Sequence, residues 1–416
     1  MDSGNYFGVD SFMYRGTFAI VDKTAVTANV AAIRAFLGLG TKLLVAVKSD
    51  GYGHGLVPIA QAFLAGGAHY LGVATLEEAL QLRSAGVHAP VLVLGAVSAE
   101  AAKAAAHGNI EITVTEDWSR QVPSGFSHPL GVHLKFDTGM NRLGFRSPTE
   151  LVSAAQSFQK CPNVNIAGVF THLACADAES LHHAQRQLQR FDEALEALRS
   201  AGFAPIAHAA NSAAALRMPQ SHYGMVRVGI SAYGFPPADG VPLPVQLRQA
   251  MNLYSFITRI AEVADGETVG YGATYTASGT RRIATVPVGY GDGYPRHLSN
   301  RGSVLVGRQR VPVVGNVCMD QLMIDVTDVP GASVGDCVTV YGQAAPDEWK
   351  FAAIEKMDEE HQIQYLLGTF RQSRSSRSLS QSVPSISIAD MAAQAGTISY
   401  ELICAVDNRV PRFYLD

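Results

Sequence analysis

Leu44-Val45-Ala46-Val47-Lys48-Ser49-Asp50-Gly51-Tyr52-Gly53-His54-Gly55 is the stretch whose reading decides the fold. Its apolar, partly β-branched start reads as a buried strand. The strand ends abruptly in a lysine, and three glycines in the next seven residues force a tight loop. A lysine at the buried end of a strand must lose its charge, pair it or use it. Desolvation favours the neutral amine, which is a nucleophile that forms Schiff bases. The plain alternative is a strand that surfaces at Lys48. Tyr52 and His54, set among glycines that let backbone approach a ligand closely, argue against it.

Working outward, short apolar runs alternate with helical segments up to about Gly234. Strands are expected at 43–48, 70–75, 91–95, 110–114, 132–137, 166–172, 206–211 and 226–233. The clearest helices are 56–65, 76–85 and 185–201, and several segments stop at glycine (Gly66, Gly86, Gly202). Eight such βα units predict a TIM (β/α)8 barrel over 18–245. An open doubly wound sheet is disfavoured, because no G-x-G-x-x-G opens a first helix. A barrel places chemistry at the C-terminal ends of its strands, where Lys48, Asp137, His172 and Asn211 fall.

The chain has 416 residues, 47% apolar and 16% charged, with a formal charge of −4. That leaves no basic footprint for nucleic acid. Five scattered cysteines without a C-x-x-C pair read as thiols in a reducing compartment. No run is long and apolar enough to span a bilayer, and the N-terminus lacks a signal-peptide pattern. A cytoplasmic enzyme is expected.

Beyond Pro236-Pro237 the periodicity shortens. Segments 253–263, 282–288, 304–306, 309–314, 322–326 and 337–341 are β-branched and separated by Gly or Asp turns. They predict a mainly β domain over 246–416. Tyr271 between Gly270 and Gly272 is either a turn aromatic or an exposed reactive phenol.

Five stretches resemble the alanine racemase family. Val47 to Gly55 is similar to the family's pyridoxal-phosphate signature Val-Lys-Ala-Asn-Ala-Tyr-Gly-His-Gly, with Ser49-Asp50-Gly51 in place of Ala-Asn-Ala. Lys135 to Gly144 is similar to its Lys-x-Asp-Thr-Gly-Met-x-Arg-Leu-Gly. Arg227 to Gly234 is similar to its Arg-x-Gly-Ile-x-x-Tyr-Gly, and Tyr271 to Tyr275 to its Tyr-Gly-Ala-Thr-Tyr. Cys318 to Gln321 matches its Cys-Met-Asp-Gln.

The resemblance implies a pyridoxal 5'-phosphate enzyme that interconverts L- and D-alanine by two bases, supplying D-alanine for the cell wall. Lys48 would carry the cofactor and serve one face of the substrate, and Tyr271 from a partner subunit would serve the other. Tyr52, His172, Asn211, Ser212, Arg227, Gly229 and Ile230 would hold the cofactor. From local sequence alone, Ser212 is equally a helix N-cap. Arg142, with Met319 and Asp320, would receive the substrate carboxylate, where Arg142 could instead be a surface residue and Met319 core filler. Tyr290 and Tyr400 would line the entrance, and Lys135 would be a candidate carbamate orienting Arg142. The resemblance implies a homodimer with shared sites and no metal.

Arg227 also bears on reaction type. A guanidinium is donor-only, so it keeps the pyridine nitrogen unprotonated. That points to racemisation over decarboxylation, for which related barrels carry a carboxylate at that place. A serine-preferring or broad racemase and a non-catalytic cofactor carrier are the rivals; the carrier predicts no β domain. Residues 1–17 are expected to add a strand to the β domain. Residues 343–387 depart from the family pattern and read as a surface insertion, with a helix at 348–370 and an exposed Ser/Arg-rich tail at 373–382. A partner-binding element or a corrupted reading frame are the alternatives for it.

Overall fold

The computed structural model describes residues 15–115, 118, 125–237, 242–375 and 383–416. They fall into two compact units, 23–249 and the residues up to 22 together with 250–416. The first strand, β1 (Phe18–Asp22), belongs to the second of these. The first unit is a closed parallel barrel of β2 (Lys42–Ala46), β3 (Tyr70–Val73), β4 (Val91–Ala96), β5 (Glu111–Val114), β6 (Leu130–Lys135), β7 (Val164–Phe170), β8 (Ile206–His208) and β9 (Met225–Val228). It closes where Leu44 of β2 pairs with Arg227 of β9.

All eight expected strands are present, but those that carry the candidate residues stop short. β2, β6 and β7 end at Ala46, Lys135 and Phe170, and β8 ends at His208. Lys48, Asp137, His172 and Asn211 therefore stand in the loops just beyond, free of the ladder's demand that alternate residues face outward. The helix Leu56–Ala65 runs as expected. The next, Leu76–Ser84, starts at a capping box formed by Thr75 and Glu78.

In the second unit one sheet runs in the order Arg259–Val263, Arg281–Val286, Leu322–Asp325, Gln309–Val314, Ser303–Val306, Cys337–Gln343, Met251–Phe256, β1 and Arg412–Leu415. The expected segment 253–263 is two strands. The chain changes partners at Ile257 and Thr258, whose amides donate to Asp336 and Thr285 carbonyls.

Two expectations are corrected here. The strand expected of residues 1–17 falls mostly on residues 1–14, which lie outside the described residues, whereas β1, expected within the barrel, belongs to this sheet. β1 pairs antiparallel with Met251–Phe256 and parallel with Arg412–Leu415, so 18–22 is not barrel. All five of its residues are buried, as a central strand of a two-sided sheet requires. The 343–387 segment is not merely superficial. It forms two helices, Phe351–Ile354 and Glu359–Ser375, where one was expected. Trp349, Ile354, Leu366 and Phe370 from it join Phe18, Tyr254 and Phe256 in one core. Residues 376–382 of the Ser/Arg tail lie outside the described residues.

Trp349 centres that core. Its ring lies 5.1 Å from Tyr254 and 5.6 Å from Phe18, and its Nε1–H donates to Thr369 Oγ1 at 2.6 Å. Trp349→Ala is expected to lower stability by about 3–5 kcal/mol, the usual cost of a large core cavity. Urea unfolding checks this; a loss under 1 kcal/mol would return the segment to the surface. No described helix is long and apolar enough to cross a membrane.

Candidate active site

Lys48 follows Val47 into a turn that reverses the usual backbone hand. Ser49, Asp50, Gly51 and Tyr52 all have φ between 50° and 61°. Each non-glycine residue there costs about 1–2 kcal/mol, and such strain persists only where surroundings over-determine it. They do here. The Ser49 amide donates to Glu78 Oε1 at 2.6 Å, and Asp50 Oδ1 accepts from the Leu56 amide at 2.8 Å. Asp is among the residues that tolerate this region, so Ser49-Asp50-Gly51 suits the turn. The result aims a half-buried Lys48 past the strand end and buries Tyr52.

Tyr52 stacks on Tyr233, centroids 4.8 Å apart and planes at 11°. Its hydroxyl occupies the space of any side chain at position 229, lying 2.7 Å from where a Cβ would stand, so Gly229 must be glycine. The Gly229 amide in turn donates to Ser212 Oγ at 2.8 Å. The N-cap reading of Ser212 is corrected: Asn211 caps the helix Ser212–Arg217, its Oδ1 accepting from Ala214 N at 3.0 Å. The Ser212 hydroxyl is thereby left to donate. The Tyr52 and Ser212 hydroxyls and the Gly229–Ile230 turn converge as a donor cradle suited to a phosphate.

Arg227 is buried on β9. Its Nη1 donates to His208 Nδ1 at 2.9 Å and to the His208 carbonyl at 3.0 Å. Its Nη2 donates to the Thr171 and Ala209 carbonyls at 2.7 and 3.1 Å and lies 3.2 Å from His172 Nδ1. The guanidinium lies over the Phe170 ring. Burial, then the Arg142 charge, lowers it to about 9, so it remains charged at neutral pH. Burial, then the charges of Arg227, Arg142, Lys135 and Lys48, holds His172 well below its ordinary value and therefore neutral. Four cations thus surround one imidazole at the barrel mouth, a field that favours an anionic occupant.

Asp137 does structural work. Oδ1 accepts from the Gly139 and Asn141 amides at 2.8 and 3.0 Å, and Oδ2 from Arg142 N at 3.0 Å. Burial pushes its carboxyl up, but those amides and the Lys135 charge outweigh that and hold it below the usual carboxylate range. Arg142 is exposed on the loop so fixed. Lys135 is buried, its Nζ donating to the Phe136 carbonyl at 3.2 Å and lying over Phe170. Sequence reasoning missed Gln187 on the helix His182–Ser200. Its amide ties Thr138 Oγ1 to the His172 carbonyl at 3.0 Å each, locking the loops after β6 and β7 together.

Asp137→Asn would put an amide donor opposite the Arg142 amide or the Gly139 pair. It is expected to cost about 1–3 kcal/mol at pH 7, as for one unsatisfied buried group. The native carboxyl titrates below its unfolded value, so its contribution is full above the unfolded pKa and is lost as pH falls through the folded one. The gap between the two proteins in urea melts should therefore close on acidification.

In the second unit, Tyr271 is 75% exposed on a turn between Gly270 (φ 74°) and Gly272 (φ 73°), its carbonyl accepting from Asn316 Nδ2 at 2.7 Å. Tyr290, Met319 and Asp320 are brought together. The Tyr290 and Gly291 amides donate to the Cys318 and Met319 carbonyls, and Arg409 donates to Asp292 at 2.9 Å and Asp320 at 2.8 Å. Tyr290 and Met319 are exposed, and Tyr400 is half-buried in the helix Ser399–Cys404. Arg409, which the sequence did not suggest, thus ties Asp292 to Asp320.

Comparison with known proteins gives two family matches. A profile described as alanine racemase, N-terminal domain, matches residues 21–237, and one described as alanine racemase, C-terminal domain, matches 250–379. The alanine racemase of Symbiobacterium thermophilum is 39% identical over 405 residues, 96% of this chain and 97% of that protein. That of Desulfovibrio desulfuricans is 37% identical over 407 residues, 97% and 99% of the two chains. Among solved structures, alanine racemase from Bacillus anthracis with bound L-Ala-P superimposes with a TM-score of 0.83 at 34% identity, covering 97% of this chain and 96% of that one. Alanine racemase from E. faecalis gives 0.82 at 33%, covering 96% and 98%.

Proposed function

The chain belongs to the alanine racemase family, and from that premise we propose how its own residues interconvert L- and D-alanine with pyridoxal 5'-phosphate. It is an isomerase acting on alanine, built as a barrel followed by a mainly β unit. The observation that carries the cofactor reading is the donor set at the barrel mouth. Hydroxyls of Tyr52 and Ser212 with the Gly229–Ile230 turn suit the phosphate. Among the described residues Arg227 spends Nη1 and Nη2 on protein acceptors, which leaves Nε–H for the ring nitrogen.

When bound, the cofactor acidifies the α-proton of the amino acid it holds. Lys48 would hold the cofactor and would take or return the proton on one face of the substrate. Tyr271 serves the other face as the second base. Arg142, with Met319 and Asp320, receives the substrate carboxylate. His172 and Asn211 border the ring, and Tyr290 and Tyr400 limit the side chain to little more than a methyl. The assembly is a homodimer in which each Tyr271 serves its partner's Lys48, and the enzyme works in the cytoplasm.

Polarimetry tests the reading. L-alanine should lose rotation only with cofactor present, and serine should react far more slowly. Equal rates on serine would move the assignment to a broad-specificity racemase.

A further inference from the structure

Three side chains below Arg227, the buried His133 and His208 and the partly exposed Glu111, take no part in the steps above. Glu111 opens β5, His133 lies within β6 and His208 ends β8. His208 Nε2 is 2.8 Å from His133 Nδ1, and His133 Nε2 is 2.7 Å from Glu111 Oε2. With Arg227 Nη1 on His208 Nδ1, a four-residue chain runs through the barrel interior.

Its hydrogens can be assigned. A guanidinium only donates, so His208 Nδ1 must present a lone pair. Burial, then the Arg227 charge, holds His208 well below its ordinary value, so it is neutral and its one proton is on Nε2. That proton faces His133 Nδ1, which must accept. His133 then carries its proton on Nε2 and gives it to Glu111, a carboxylate that only accepts. Tyr70 also donates to Glu111; burial, then the Glu111 charge, pushes its phenol up to about 12.

The barrel makes room for this chain. A Cβ at Gly168 would stand 2.1 Å from His133 Nδ1, and one at Gly131 would stand 2.8 Å from Glu111 Cγ. Neighbouring strands thus give up side chains where the relay passes, in an interior otherwise filled by them.

We infer that Glu111 is the terminal acceptor of a relay through His133 and His208 that holds Arg227 against the cofactor ring, making all three positioning residues for racemisation. The inference rests on Arg227 as the ring's partner. Without an acceptor at Glu111, the His133 Nε2–H is stranded at the end of the chain. The imidazole relieves this only by turning, which breaks its bond to His208 and loosens Arg227.

The test uses holoenzyme labelled with 15N-histidine. Glu111→Leu should shift the His133 and His208 ring nitrogens and lower kcat about tenfold with KM for alanine unchanged, the scale typical of residues that orient a ligand's partner. Glu111→Gln, whose carbonyl accepts the same proton, should stay within about twofold of wild type. His133→Phe, which fills the space but cuts the chain, should repeat the Glu111→Leu loss should that variant fold poorly. Unchanged kcat in Glu111→Leu and His133→Phe, or ring nitrogens that do not move, overturns the relay. Arg227→Lys, run alongside, separates the two readings. If it too leaves kcat unchanged, the ring assignment of Arg227 falls; if it alone is slow, only the relay falls.

Discussion

Lys48→Ala is expected to remove the visible absorption of the bound cofactor and to lower kcat for alanine by about 10^4-fold or more, since one side chain is both anchor and base. The protein should otherwise stay folded. Lys48 is half-buried, and the left-handed turn after it is held by Ser49, Asp50 and Glu78, not by the lysine side chain. The Tyr52 and Ser212 hydroxyls remain, so cofactor should still bind, though without its covalent hold. Spectrophotometry after dialysis, with calorimetric melting as the control for folding, separates these effects. A visible band that persists in Lys48→Ala, at unchanged melting temperature, would give the anchor to another amine.

The two largest features of the chain were legible because their physics is local. Buried parallel strands read as short apolar runs, and all eight stand where those runs fall. Lys48 and His172 were legible as charge or imidazole placed at the expected strand ends, and Arg227 through the family resemblance. Other parts were hidden for physical reasons. Ser212 looked like a cap because Asn-Ser offers two capping residues in a row, and only the Gly229 amide across the barrel decides between them. Nothing near Glu111 or His133 in sequence announces that they meet, since their pairing comes from register between β5 and β6. Residues 343–387 read as a surface insertion because they depart from the family pattern. Four apolar side chains among them nevertheless find the aromatic face of β1, a partner far away in the chain.

The same distinction explains the site's charge. Closure of β9 on β2 is what gathers the cations of the mouth around His172. A neutral imidazole among four cations cannot store a proton, so His172 is unsuited to act as a base at neutral pH.

Tyr271→Phe discriminates between the two faces, and it requires care about what is measured. The enantiomers of alanine are equal in free energy, so overall racemisation must slow by the same factor in both directions, whichever base is lost. Exchange of the α-hydrogen with solvent deuterium escapes that constraint, because each base can exchange the proton on its own face without completing turnover. With Tyr271 as the base for L-alanine, Tyr271→Phe should reduce exchange from L-alanine by about 10^2–10^4-fold, the usual contribution of general base catalysis. Exchange from D-alanine, which depends on Lys48, should stay near the wild-type rate. Folding is not at risk: the side chain is 75% exposed, and the turn is held through its carbonyl by Asn316. Cofactor absorbance should be unchanged. Equal loss of exchange from both enantiomers would mean that the phenol positions the substrate without taking its proton, and the two-base assignment would have to be given up.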